Sequence, residues 1–355
     1  MPDRSSEKRA RIASVALAVP EVVVDRQETI ACLARLFPAE DPDFVRGLVA
    51  RSGVERRHFP LPADALVEAS DFTERNARYA EAGLELATRA ARLAIERAQL
   101  RPAEIDVVLD VSCTGLLIPA LDVDLAPRLG LRPDVCRVPI TESGCAGGGL
   151  GLGLATRFAR GGERVLLVAV ELCSSTFVRE DRTRTNLVAS ALFGDGAGAA
   201  VVTPEGPGPG FEAVGSHLFP GTRGAMGFDV GSHGLRLVLQ RELPEILRHG
   251  LRPVVESFLA RHGRRVEDID LHLLHPGGPR VLEVYAEMFG LAPEALRFSR
   301  EALRLYGNLS SASIFAVLDL AFEAGARPAP GNEALLVSFG PGLSAEMALL
   351  SWPPR

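Results

Sequence analysis

Residues 102–115 read PAEIDVVLDVSCTG, and residues 266–278 read VEDIDLHLLHPGG. Each opens on a polar lead and an Ile-Asp pair, runs through a short apolar strand, and ends in a turn of small residues. Ile105-Asp106 and Ile269-Asp270 stand 164 residues apart. Helical stretches precede both. Residues 73–100 place Ala, Leu and Ile at helical spacing with Thr73 as N-cap, and residues 242–263 (ELPEILRHGLRPVVESFLARHG) do the same. A second pair agrees: Glu163–Glu171 (ERVLLVAVE) and Glu333–Phe339 (EALLVSF) lie 170 residues apart. The matching offsets point to a duplicated α/β unit. Near-continuous apolar strands flanked by helices belong to sheets covered on both faces. Such folds gather their reactive groups beyond the carboxyl ends of the strands. The chain is expected to divide into lobes at residues 12–203 and 204–355, with the loop Pro204–Gly210 as the seam and residues 1–11 as a disordered start.

Composition narrows the function classes. The 355 residues suit two core-forming units, and 39 Lys+Arg against 45 Asp+Glu leave a net charge of −6. Without basic tracts, and with only 16 Phe, three Tyr and one Trp, the chain offers no nucleic-acid surface. The polar start has no signal-peptide core, and apolar runs such as Val165–Val170 fall far short of the ~20 residues of a membrane span. These features predict a cytoplasmic protein without stable membrane insertion. The cysteines Cys32, Cys113, Cys136, Cys145 and Cys173 form no CxxC pair, so they suit neither a disulfide framework nor a zinc site.

Three positions could carry chemistry. Thr141–Gly153 (TESGCAGGGLGLG) puts Cys145 on a strand-to-helix turn. Partial positive charge at a helix start favours thiolate and lowers a thiol pKa that begins near ~8.5. The alternative is a buried cysteine on a glycine-rich packing helix. A dinucleotide loop is excluded, because Leu152 and Leu154 break the GxGxxG phase. His275 ends an apolar strand and opens HPGG, where an imidazole would be fixed yet exposed; a structural histidine is the bland reading. Asn308, in YGNLSS, precedes a helical run and could equally be its N-cap. Together the three supply an activated nucleophile and an amide suited to an oxyanion or enolate. That chemistry fits acyl transfer and carbon–carbon bond formation as well as hydrolysis.

The motifs SGCAGG at Cys145, LFGDGA at Leu192–Ala197, HPGG at His275, YGNLSS at Asn308 and FGPGLSAE at Phe339–Glu346 occur in the order found in type III polyketide synthases. The chain resembles this chalcone-synthase-like branch of the thiolase superfamily over roughly residues 12–352. The resemblance implies an α/β protein with a thiolase-like five-layered αβαβα fold made of two duplicated lobes, acting as a homodimer without metal or organic cofactor. It implies Cys145 as the acyl-accepting nucleophile, paired as a thiolate with His275, and His275 and Asn308 as the groups that decarboxylate malonyl-CoA. Phe193 matches the gate between CoA tunnel and cavity, and Leu237 a second gate position. Cys113, Cys173 and Ser310 match cavity-lining positions, and Gly340, Pro341 and Gly342 a cavity-shaping loop. Ile118 matches a residue that reaches into the partner subunit. Arg51, Gly277 and Gly278 match the CoA site; Arg46 is out of phase, and Arg56 and Arg57 fit solvated surface positions.

The resemblance favours alkylpyrone and alkylresorcinol synthases, hence a long fatty acyl-CoA starter extended by malonyl-CoA, with an apolar tunnel near Cys113, Cys173 and Leu237. The alternatives are a 1,3,6,8-tetrahydroxynaphthalene synthase using malonyl-CoA alone, a ketoacyl-ACP synthase III-like single condensation, and a non-catalytic binder of CoA esters.

Overall fold

The computed structural model describes residues 9–66, 68, 71–329 and 332–353. Residues 1–8 of the expected disordered start lie outside the described residues. The rest of that start is ordered. Ala10 is fully buried, its carbonyl accepts the Phe211 N–H at 2.8 Å, and Arg11 already belongs to a strand.

The N-terminal lobe begins with β1 (Arg11–Ala18), β2 (Val22–Asp25), α1 (Arg26–Leu36), α2 (Pro42–Arg51), β3 (Arg56–Phe59) and the short α3 (Ala63–Leu66). It continues through α4 (Phe72–Arg97), β4 (Val107–Val111), α5 (Asp122–Leu129) and β5 (Cys136–Ile140). It closes with α6 (Gly147–Arg160), β6 (Val165–Leu172), α7 (Arg184–Leu192) and β7 (Asp195–Thr203). The C-terminal lobe opens with β8 (Gly210–Leu218), the hairpin β9 (Met226–Gly231) and β10 (Gly234–Leu239), then α8 (Leu243–Arg261) and β11 (Ile269–Leu274). After α9 (Pro279–Phe289), α10 (Arg297–Tyr306) and α11 (Ser313–Glu323) come β12 (Glu333–Gly340) and β13 (Ser344–Ser351).

Local chemistry explains where these elements start. The helix expected from Thr73 begins at Phe72, because Asp71 is the better cap. Asp71 accepts the Glu74 N–H at 2.8 Å while the Glu74 carboxylate accepts the Asp71 N–H at 3.3 Å. The strands β6 and β12 are buried along their whole length, as sheets covered on both faces require.

The duplication is visible in the sheet order. One half runs β1-β7-β6-β4-β5 and the other β8-β13-β12-β11, with the parallel strand pairs of the described residues at β6/β4, β4/β5 and β12/β11. The halves join edge to edge through a single residue pair between β1 and β8, Arg11 with Gly210. Helices α4 and α5 cover the outer face of the first half, and α8 and α9 pack in the outer core of the second. Between the halves lie α6 and α11, touching strands of both. Counted across, this is the five-layered αβαβα arrangement.

The glycines after Cys145 serve this central layer. A Cβ at Gly148 would stand 2.3 Å from the Ser311 carbonyl oxygen and 2.7 Å from Ile314 Cγ2. Only glycine lets α6 approach the start of α11 so closely, and that approach brings the two helix N-termini together.

Candidate active site

Two equivalent turns meet at the centre of the molecule. Gly144–Ala146 forms a tight turn ahead of α6, and Ser310–Ala312 forms its counterpart ahead of α11. The turns touch, and the Cys145 thiol lies 3.5 Å from Ser310 Oγ as a donor. Cys113 approaches the same hydroxyl, also at 3.5 Å. The expected strand-to-helix placement of Cys145 is therefore the one observed.

Asn308 does more than cap. Its Oδ1 accepts the Ser310 N–H at 2.8 Å and the Ser313 hydroxyl at 3.2 Å, which fixes the amide plane. Its Nδ2 donates to the Gly277 carbonyl at 3.3 Å, and the side chain also hydrogen-bonds with Cys145. His275 follows β11, its N–H donating to Val337 O and its carbonyl accepting the Gly277 N–H, both at 2.9 Å. A Cβ placed on Gly277 would sit 3.5 Å from the imidazole Nε2. Asn308 thus links the sulfur of one lobe to the histidine turn of the other.

Electrostatics corrects one expectation. Burial pushes the Cys145 thiol up to about 12, outweighing the downward pull of its hydrogen bonds with Ser310 and Asn308. Burial alone pulls His275 down to about 3. A charged form loses solvation in this interior, and no full opposite charge stands against either group to restore it. In this interior burial opposes the anticipated ion pair from both sides, favouring neutral thiol and neutral imidazole. Among the described residues the buried His275 Nδ1 has no hydrogen-bond partner to pin the imidazole tautomer.

Cys145, Cys113, Cys173, Phe193, Leu237 and Ser310 all line one cavity, as does Pro341. His275 and Asn308 are each 2 % exposed and do not line it, Asn308 reaching it through its hydrogen bond with Cys145. Six other residues named from the sequence do not line it: Gly340 and Gly342 beside Pro341, and Arg51, Gly277, Gly278 and Ile118. Arg51 is exposed at the last turn of α2, Gly278 caps α9, and Gly277 serves Asn308. Ile118 is fully exposed on the loop after β4. Arg46 pairs with Asp43, and Arg56 is exposed.

Three residues escaped the sequence reading. Arg57, expected in solvent, is 5 % exposed and lines the cavity. Cys32 lines its far arm beside Leu33 and Leu36. Glu171 is fully buried at the end of β6 and accepts from Cys113 N–H at 3.1 Å, Thr114 Oγ1 at 2.7 Å and the Ser311 hydroxyl. Burial raises its pKa against those bonds. The signal for Glu171 was available: a lone carboxylate in the otherwise apolar VLLVAVEL demands buried donors.

Models of the chalcone and stilbene synthases match this chain, the N-terminal domain over residues 2–207 and the C-terminal domain over 194–352. A 1,3,6,8-tetrahydroxynaphthalene synthase of Streptomyces peucetius subsp. caesius is 39 % identical over 98 % of this chain and 94 % of its own. An alpha-pyrone synthesis polyketide synthase-like protein, Pks18 of Mycobacterium tuberculosis, is 30 % identical over 95 % of this chain and 90 % of its own. Among solved structures, the 1,3,6,8-tetrahydroxynaphthalene synthase of Streptomyces coelicolor A3(2), a bacterial type III polyketide synthase, superposes with a TM-score of 0.93. It shares 32 % identity and covers 97 % of this chain and 100 % of that one.

Proposed function

The chain belongs to the chalcone and stilbene synthase family, the type III polyketide synthases, and from that premise we propose that it condenses malonyl-CoA units alone into a cyclised pentaketide of the 1,3,6,8-tetrahydroxynaphthalene type. The family's reaction is an acyl transfer coupled to decarboxylative Claisen condensation. The observation that carries the product reading is the 39 % identity, along nearly the whole chain, to a synthase of that naphthalene. This moves the reading away from the long fatty acyl starter favoured by the motifs.

Cys145 attacks a malonyl-CoA thioester while its proton passes to His275, and the departing CoA thiolate takes that proton. The unprotonated imidazole is the form that can take this proton, and the burial that keeps it neutral also weakens it as a base. A second malonyl-CoA then places its thioester oxygen between the Asn308 Nδ2 and His275. Loss of CO2 leaves an enolate held by those donors in a buried site, where such hydrogen bonds are strong. The enolate carbon attacks the acyl thioester, Cys145 is released, and the longer chain reloads. Because the Nδ1 of His275 has no partner among the described residues, Nε2 can accept a proton in the first half-reaction and donate in the second.

Arg51, exposed and without an ion pair among the described residues, is the proposed contact for CoA phosphate outside the cavity. Ile118 and Leu116, at 102 % and 47 % exposure, mark the proposed homodimer face beside the sheet edge β5.

One observation favours a second reading. The cavity extends to Cys32, Leu33, Leu36 and Phe177, an apolar arm suited to an aliphatic starter. Purified protein given malonyl-CoA alone is expected to yield a pentaketide by mass spectrometry. A chain that turns over only with palmitoyl-CoA present, giving pyrones or resorcinols, establishes the second reading instead.

A further inference from the structure

Arg57 is a buried cation that the mechanism above leaves idle. Its Nη1 donates to the carbonyls of Ser190 at 2.6 Å and Phe193 at 2.9 Å, and its Nη2 donates to Thr29 Oγ1 at 2.8 Å. Ser190 and Phe193 stand at the C-terminal end of α7, where carbonyls lack helical donors and the helix dipole favours a cation. No carboxylate among the described residues reaches ion-pair distance of it; Asp195 answers its charge through space. Such a costly group is retained for what it holds in place.

What it holds is a bridge. The Asn308 N–H donates to Leu192 O at 2.8 Å, and the Gly194 N–H donates to Asn308 O at 3.0 Å, so Phe193 and Asn308 pair like two strand residues. Two glycines clear room for the Arg57 stem along it. A Cβ on Gly307, at φ +71°, would meet Leu192 O at 2.6 Å and the Arg57 Cγ and Cδ at 3.1 Å. A Cβ on Gly194 would meet Tyr306 O at 2.4 Å and lie 3.5 Å from Arg57 Cβ.

We propose that Arg57 is a positioning residue: by clamping the Phe193 carbonyl it fixes the bridge that carries Asn308, and so sets where the Asn308 amide meets the malonyl thioester. The proposal rests on the decarboxylation reading above. It assigns Arg57 chiefly to one step, because Cys145 is carried by the other turn and meets the bridge only through its hydrogen bond with the Asn308 side chain. A guanidinium suits the task, since two carbonyls and a hydroxyl are gripped by two nitrogens in a fixed fork that lysine lacks.

The test measures two rates in the full chain: CO2 release from malonyl-CoA, and iodoacetamide labelling of Cys145 followed by peptide mass. Arg57→Met is expected to lose ~10- to ~100-fold in CO2 release, the scale of a small misplacement, while Cys145 labelling stays near the wild-type rate. Arg57→Lys should recover part of the loss. Thr29→Val, which removes one bond to the clamp, should shift the ratio of the two rates slightly in the same direction. Arg57→Met releasing CO2 at the wild-type rate, or losing both rates by the same factor, overturns the proposal. If Arg57→Met does not fold by circular dichroism, Thr29→Val decides, and an unchanged ratio overturns it. Wild-type chain that releases no CO2 overturns the parent reading and this inference together, whereas active wild type with an unchanged variant ratio overturns this inference alone.

Discussion

The turn ahead of α6 and the turn ahead of α11 occupy equivalent places in two copies of one unit, yet they spend their side chains differently. The first carries sulfur and then glycine; the second carries Ser310, Ser311 and the preceding Asn308. Duplication alone would have produced two identical helix starts facing each other. Divergence has left the N-terminal copy with a group to be transferred to and the C-terminal copy with groups that only hold hydrogen bonds. Ser311, the counterpart of Cys145, crosses back to donate to Glu171 of the other lobe. In the proposed reaction one copy does covalent chemistry, and the other stabilises charge.

The sharpest way to break this division is to remove each half in turn. Cys145→Ala is expected to abolish chain extension, by at least ~1,000-fold for loss of a nucleophile, while CO2 release from malonyl-CoA continues. Asn308→Ala is expected to do the reverse, cutting CO2 release by ~100- to ~1,000-fold and leaving Cys145 open to alkylation. If both variants lose both activities equally, the lobes do not divide the labour.

Gly148 tests the closeness of the two turns. Gly148→Ala drives a methyl into the Ser311 carbonyl, and overpacking of this kind costs ~1–3 kcal/mol. A clear fall in melting temperature is expected, with decarboxylation impaired more than thiol labelling.

Next is the state of the sulfur. With its pKa up at about 12, the rate of Cys145 labelling by iodoacetamide should climb roughly tenfold per pH unit from 7 to 10, with no plateau near 8.5. A plateau at neutral pH would restore the ion pair.

The smallest effect concerns Glu171. Ser311→Ala removes one of its donors, for ~1–3 kcal/mol, and raises its already raised folded pKa. A carboxyl raised on folding contributes stability that is complete below its unfolded pKa and disappears as pH rises through the folded value. The variant should therefore lose more melting temperature at pH 8 than at pH 5, and equal losses at both would contradict the assignment.

Much of this was legible in the residues. The Ile-Asp pairs and apolar runs located β4 and β11, and β6 and β12, because a strand buried on both faces leaves an unbroken apolar string. Cys145, His275 and Asn308 stood out because each ends or opens an element. The protonation of the pair was not legible, since solvation depends on what surrounds a group in three dimensions. Cys145 next to a helix start suggests thiolate until burial is known. Arg57 was misread for a related reason: ERRHF looks solvated, and only the α7 carbonyls and Thr29, contributed from distant segments, make an interior site for one of its two arginines. Arg51, Gly277 and Gly278 matched by position alone and fell outside the cavity.

The half-sheets share only one ladder pair, Arg11 with Gly210. A seam so thin cannot dictate how the lobes lean on each other, so that angle is governed by the helices sandwiched between them. Interior substitutions on α6 or α11 thereby become adjustments to the gap between sulfur and amide.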